Sequence, residues 1–136
     1  MMFLAAAAAF LLILGIWYFL PSRPSWWFLR DRPTDPDIWR RTFSAEQESI
    51  VLGGLQAISE SFLLRPKDTF RLRPDDKLLD IYRAAYPSKQ TPDALEFHVL
   101  SQALRTTFHV PESSLADQAD PTVRDVINMC LRYGGT

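Results

Sequence analysis

The first twenty residues, MMFLAAAAAFLLILGIWYFL, contain no charged side chain, and the first basic residue is Arg23. About 20 apolar residues in helical form match a hydrocarbon core of roughly 30 Å, and the alanines and leucines of this run favour helix. Pro21 stands where such a helix would stop. Trp17 and Tyr18 close the run, and Trp26 and Trp27 follow shortly after. Such amphipathic rings suit a membrane–water interface. The pattern predicts a single transmembrane helix over 1–20. A cleaved signal peptide remains a second reading, although no Lys or Arg precedes the run and no small-residue cleavage site ends it. A buried core helix is a third. Arg23, Arg30, Arg32, Arg40 and Arg41 all follow the run, so the positive-inside rule predicts a single-pass membrane protein with its C-terminal side cytoplasmic.

Residues 21–42 carry Pro21, Pro24, Pro33 and Pro36, which forbid a continuous helix. With charges interleaved, the stretch reads as an extended or turn-rich juxtamembrane tether. Its aromatics could instead pack on the body, with Ile38, Trp39 and Phe43 the best placed to do so. The arginines of this stretch have two readings: contact with anionic lipid, or no more than setting the topology. Asp31, Asp35 and Asp37 partly cancel their charge.

A helical body is expected over 43–136. Ser44 and Gln47 have the spacing of a capping box, and Val51, Leu55, Ile58 and Phe62 fall on one helical stripe, which predicts a helix over 45–63. Gly53-Gly54 inside it is either a site of close approach or a kink. The stretch LRPKDTFRLRPDD reads as a long loop pinned by Phe70 and Leu72, and less well as a lone strand. Asp75 or Asp76 can cap a short helix bearing Leu78, Leu79, Ile81 and Tyr82, which Pro87 ends. Asp93 caps the next helix, whose expected stripe is Leu95, Val99, Ala103 and Leu104, with Phe108 following. Leu115 can anchor a short turn. Asp120-Pro121 is a helix start signal, and Val123, Val126, Ile127 and Cys130 form the last stripe, closed by Gly134-Gly135. The fold class expected is all-α.

Composition narrows the chemistry. Fifteen basic and sixteen acidic residues give a net charge of −1, which offers nothing to drive phosphate-backbone binding and argues against a nucleic-acid partner. A single cysteine excludes an intrachain disulfide, and Cys130 with two histidines makes no metal cluster. Asp75, Asp76 and Asp80 read as helix-capping and dipole-favouring carboxylates before they read as an acid–base group. His98 and His109 are eleven residues apart and could share a helix face. Cys130 on an apolar stripe reads as a buried structural thiol. No phosphate loop, nucleophile elbow or HExxH occurs. No catalytic residue, metal or cofactor is expected, and the chain does not read as an enzyme.

Over about residues 44–133 the chain resembles an acyl carrier protein. That family has a long loop after its first helix and an Asp-Ser-Leu motif opening its second; Asp93-Ala94-Leu95 stands in that place. Phe108 matches the aromatic that closes the second helix, and Thr122, Val123 and Asp125 match the start of the fourth. The resemblance implies a small four-helix bundle. It also implies a phosphopantetheine arm on the motif serine, but Ala94 has no hydroxyl to esterify. Ser88 and Thr91 lie on the loop side of Pro92, with Ser88 a remote candidate for a shifted site. The family's second helix is acidic and docks on basic partner enzymes, whereas residues 93–108 are nearly balanced in charge. The expectation is a membrane-anchored, non-catalytic binding or scaffolding module that cannot carry the cofactor. Its interaction surface would be Asp93, Ala94 and Leu95, and its partners the lipid bilayer and an unidentified protein. The alternative is a small accessory subunit of a membrane complex whose helical body is unrelated to carriers.

Overall fold

The computed structural model describes residue 29, residues 31–85 and residues 95–135. The expected transmembrane run, Trp17, Tyr18, Arg23, Trp26, Trp27, Arg30, Asp93 and Ala94 lie outside the described residues. Every regular element among the described residues is helical: α1 (Asp37–Thr42), α2 (Glu48–Ser61), α3 (Leu78–Ala85), α4 (Leu95–Phe108), α5 (Glu112–Ala116) and α6 (Val123–Gly134). Short 3₁₀ turns cover Ala45–Gln47 and Pro66–Arg71. Among the described residues no helix is long and apolar enough to cross a membrane.

The core forms where α2 meets α4 and α6. The expected stripe of α2 is buried along its length, at Val51, Leu55, Ile58 and Phe62, and so is that of α6, at Val123, Val126, Ile127 and Cys130. Glycine lets these helices close on each other. A Cβ built on Gly54 would stand 2.5 Å from Ile127 Cδ1 and 3.3 Å from Cys130 Sγ. On Gly53 it would meet the Phe108 ring at 2.9 Å, and on Gly134 the same ring at 2.8 Å. Phe108 is therefore held between bare backbone of α2 and α6. Of the two readings of Gly53-Gly54, close approach is the one realised.

The stripe expected on α4 is rotated in the structure. Leu100, Leu104 and Phe108 face the core, while Leu95 is 62% and Val99 41% exposed. Two apolar rows exist on this helix, and the sequence does not say which meets α2. The ring of Phe97 decides it, packing edge-on against Phe62 at 5.6 Å and tilted against Tyr82 at 5.9 Å.

Helix starts and stops follow local chemistry. The start of α6 is set by Thr122 rather than by Asp120-Pro121. The Thr122 hydroxyl accepts from the Asp125 backbone N–H at 3.2 Å, and the Asp125 carboxylate accepts the Thr122 N–H at 2.8 Å. That reciprocal pair satisfies two orphan donors at once. Asp120 instead pairs with Lys77 at 2.8 Å, and this hydrogen bond and charge hold the ammonium above its ordinary pKa. Lys77 and Thr122 form an isolated antiparallel bridge that ties the start of α3 to the start of α6. Helix α2 ends at Ser61, short of 63, in a Schellman motif: the Leu64 N–H reaches the Ser59 carbonyl at 2.8 Å and the Leu63 N–H reaches Glu60 at 3.3 Å. Leu63 takes the left-handed position there, with φ 57°.

Residues 31–42 take the packed one of the two readings given for the tether. Trp39 and Leu29 are buried in the same core as α2 and α3. The Trp39 indole N–H donates to the Leu72 carbonyl at 3.2 Å, and the Asp35 N–H reaches the Phe70 carbonyl at 3.1 Å. The long loop is thus pinned as expected, with Leu72 fully buried and Phe70 packed against the core.

Candidate functional site

Among the described residues, two concave regions and one ion-pair network put polar groups beside apolar surface. The first is an open cleft of about 400 Å³ beneath the start of α4. Its walls are Leu79 of α3, Phe97, His98 and Ser101 of α4, Leu115 of α5, and Pro121. It is lined chiefly by carbon. His98 and Ser101 fall on it because they are one helical turn apart. Leu115 is buried, so the short α5 is anchored as expected. Leu95 opens α4 on the exposed side. Of the expected interaction surface it is the one residue within the described part. The next residue, Glu96, is buried, and its Oε2 has no hydrogen-bond partner among the described residues.

The second region is a groove of about 420 Å³ between α1 and α2. Trp39, Phe43, Val51, Leu52 and Phe70 line it, with Arg40 and Glu48 among its polar residues. Trp39 and Phe43 stack with centroids 6.1 Å apart and planes 6° from parallel. Trp39 is on α1 and Phe43 is the extended residue that caps its C-terminal end, four residues on, which brings the two rings together.

The network joins residues 29–41 to the loop 65–76. Arg32 clasps Asp76 through both terminal nitrogens, at 2.6 and 2.8 Å, and donates to the Arg71 carbonyl at 3.3 Å. Asp35 accepts from Arg41 at 3.2 Å and from Arg73 at 3.3 Å. Burial pushes the Asp35 carboxyl up, but the charge of Arg41, the hydrogen bond from Arg73 and the Ile38 backbone together hold it below the usual aspartate value. Asp68 is buried between Arg65 at 2.7 Å and Arg71 at 3.6 Å, and Arg71 also donates to the Leu29 carbonyl at 3.3 Å. Arg32–Asp76 is bidentate, and Asp76 and Asp68 are nearly inaccessible, which makes the pairs of those two carboxylates stronger than ordinary surface bridges; Arg41–Asp35 is an exposed, single contact.

The other candidate groups do not converge. Asp75 pairs with Arg124 at 3.2 Å and Asp76 with Arg32, so the two carboxylates are engaged by different cations. His109 lies beyond the end of α4 in a left-handed conformation with φ 59°, so helical spacing from His98 does not extend to it. Cys130 is buried, and burial pushes its thiol up to about 12, which removes the thiolate at neutral pH. Among the described residues no group of three His, Cys, Asp or Glu could hold a metal ion. Sequence reading did not find the Arg32–Asp76 and Arg73–Asp35 clasps. The signal was present as two segments, 30–41 and 65–76, each dense in both Arg and Asp. Nor did it find the groove, whose aromatics come from α1, the Phe43 turn and Phe70. Comparison with family models, with curated proteins and with solved structures finds no match to this chain.

Proposed function

We propose that the chain is a membrane-anchored, non-catalytic binding module built on the plan of an acyl carrier protein and unable to carry phosphopantetheine. The observation that carries the reading is the order of elements after Phe43. Helix α2 is followed by a long loop, the short α3, α4 opening at Leu95, the short α5, and α6 started by Thr122 and Asp125. The residue before Leu95 is Ala94, whose methyl group cannot be esterified. The apolar cleft under α4 supports a binding role for this end of the bundle. The buried Cys130 supplies no alternative thiol for acyl transfer. The charge-free residues 1–20 support a single membrane span with the body on the cytoplasmic side.

Coexpression with a broad-specificity phosphopantetheinyl transferase, followed by intact mass, tests the reading. The wild-type chain is expected to keep its unmodified mass, and Ala94→Ser to gain the cofactor. A phosphopantetheine adduct on the wild type overturns it.

A second reading, an accessory subunit of a membrane complex, is favoured by one observation. The juxtamembrane segment is clasped to the body through Arg32, Asp35 and Trp39, as in a part built to hold one orientation. Pull-down in mild detergent separates the two. Recovery of lipid- or polyketide-synthesis enzymes supports the carrier-like module, and recovery of a transporter or secretion assembly supports the subunit.

A further inference from the structure

The groove between α1 and α2 lies beside the point where the N-terminal segment joins the core. Three successive loop residues make the connection. Phe70 lines the groove and its carbonyl accepts the Asp35 N–H at 3.1 Å. Arg71 holds the Leu29 carbonyl at 3.3 Å. The Leu72 carbonyl accepts the Trp39 indole N–H at 3.2 Å, and Trp39 is the groove's wall. Leu29 is nine positions along the chain from Leu20, the last of the charge-free run. A chain of that length spans at most roughly 30 Å even when fully extended. The groove therefore lies at the edge where the chain coming from that run joins the core.

The chemistry of the groove fits lipid. Its walls are aromatic and aliphatic, at Trp39, Phe43, Val51, Leu52 and Phe70. Arg40 and Arg41 on α1 have side chains 65% and 67% exposed. Their partners Asp37, Glu48 and Asp35 hold them at 3.1 to 3.5 Å. Exposed pairs of this kind are worth little and exchange readily for another anion. Long cationic side chains that lay their stems on apolar surface while the head meets phosphate are what an interfacial site requires.

We propose that this groove faces the bilayer and takes up lipid of the interfacial layer, with Arg40 and Arg41 meeting anionic headgroups. The assignment rests on the membrane anchor of the preceding reading.

The test uses the full chain in vesicles of mixed phosphatidylcholine and phosphatidylglycerol. An environment-sensitive fluorophore is placed on Leu52→Cys in the groove or on Gln118→Cys beside the other cleft; the buried Cys130 thiol stays unlabelled. With a quencher carried on lipid, the label at 52 is expected to lose most of its emission and the label at 118 to keep it. A second pair, an Ala45→Cys label with and without Leu52→Glu, is expected to lose its quenching in the presence of the charge while circular dichroism is unchanged. If the chain resists carbonate extraction yet both labels are quenched alike, the groove assignment falls and the anchor stands. If the chain is extracted, the anchor reading falls and takes the groove assignment with it. Self-quenching that rises with protein concentration and ignores the lipid quencher assigns the groove to a second copy and overturns the proposal.

Discussion

Leu63 is the residue most at odds with its backbone. A leucine in the left-handed region crowds its Cβ against the following carbonyl, at about 1–2 kcal/mol. Here the side chain recovers little, being 72% exposed. Leu63→Gly is therefore expected to raise the stability of the body by about 0.5–1 kcal/mol, read as a higher urea midpoint with an unchanged slope. Asp35 is the residue through which pH acts on the clasp. Its carboxyl is held below its ordinary value when folded, so it adds stability at neutral pH, and that share is lost as pH falls through the carboxylate range below about 4. Asp35→Asn is expected to lower the melting temperature at pH 7 and to flatten its decline on acidification. An acid profile identical to that of the wild type rejects this role.

Between elements, the tightest fit is α2 against α6. A methyl on Gly54 meets one atom above all, Ile127 Cδ1 at 2.5 Å, and Ile127 is fully buried. Gly54→Ala gains about 1 kcal/mol of helix propensity and loses about 1–3 to overpacking, so it is expected to destabilise by about 1 kcal/mol. Ile127→Val removes the offending carbon and costs about 1 kcal/mol on its own. The double variant is expected to be no worse than either single one, a coupling that a denaturation cycle measures directly. The same pair of helices marks the limit of what the sequence makes legible. The stripes of α2 and α6 were readable because each helix offers one apolar row and contacts follow the row. Helix α4 offers two, and burial of Leu100 instead of Val99 depends on where Phe62 and Tyr82 already stand. The start of α6 was misread by two residues because Asp120-Pro121 is a sound signal that the Thr122–Asp125 exchange outcompetes. The surface at Asp93 and Ala94 was legible only as a motif, and of its three residues Leu95 alone has a place among the described residues.

At the scale of the molecule, the body begins earlier than the spacing of prolines suggests. Leu29 and Trp39 sit in the common core, and neither belongs to the stretch after 42. Removing residues 1–28 is expected to leave the thermal transition of the body nearly intact. Removing residues 1–43 strips out two buried side chains and the Trp39–Leu72 hydrogen bond. That deletion is expected to cost on the order of 4 kcal/mol or more, a large part of the 5–15 typical of a domain. A broad, weakly cooperative melt for the shorter fragment beside a sharp one for the longer is the outcome expected from paired calorimetric scans. The loop between α2 and α3 thereby acquires a mechanical meaning. Its residues Phe70 to Leu72 grip Leu29, Arg32, Asp35 and Trp39 by three backbone carbonyl contacts and a guanidinium, so this segment is fixed to the bundle. A pull or a twist that reaches Leu29 is delivered straight to the seam joining α2 and α3, and the segment from Arg32 to Trp39 turns with the bundle as one piece.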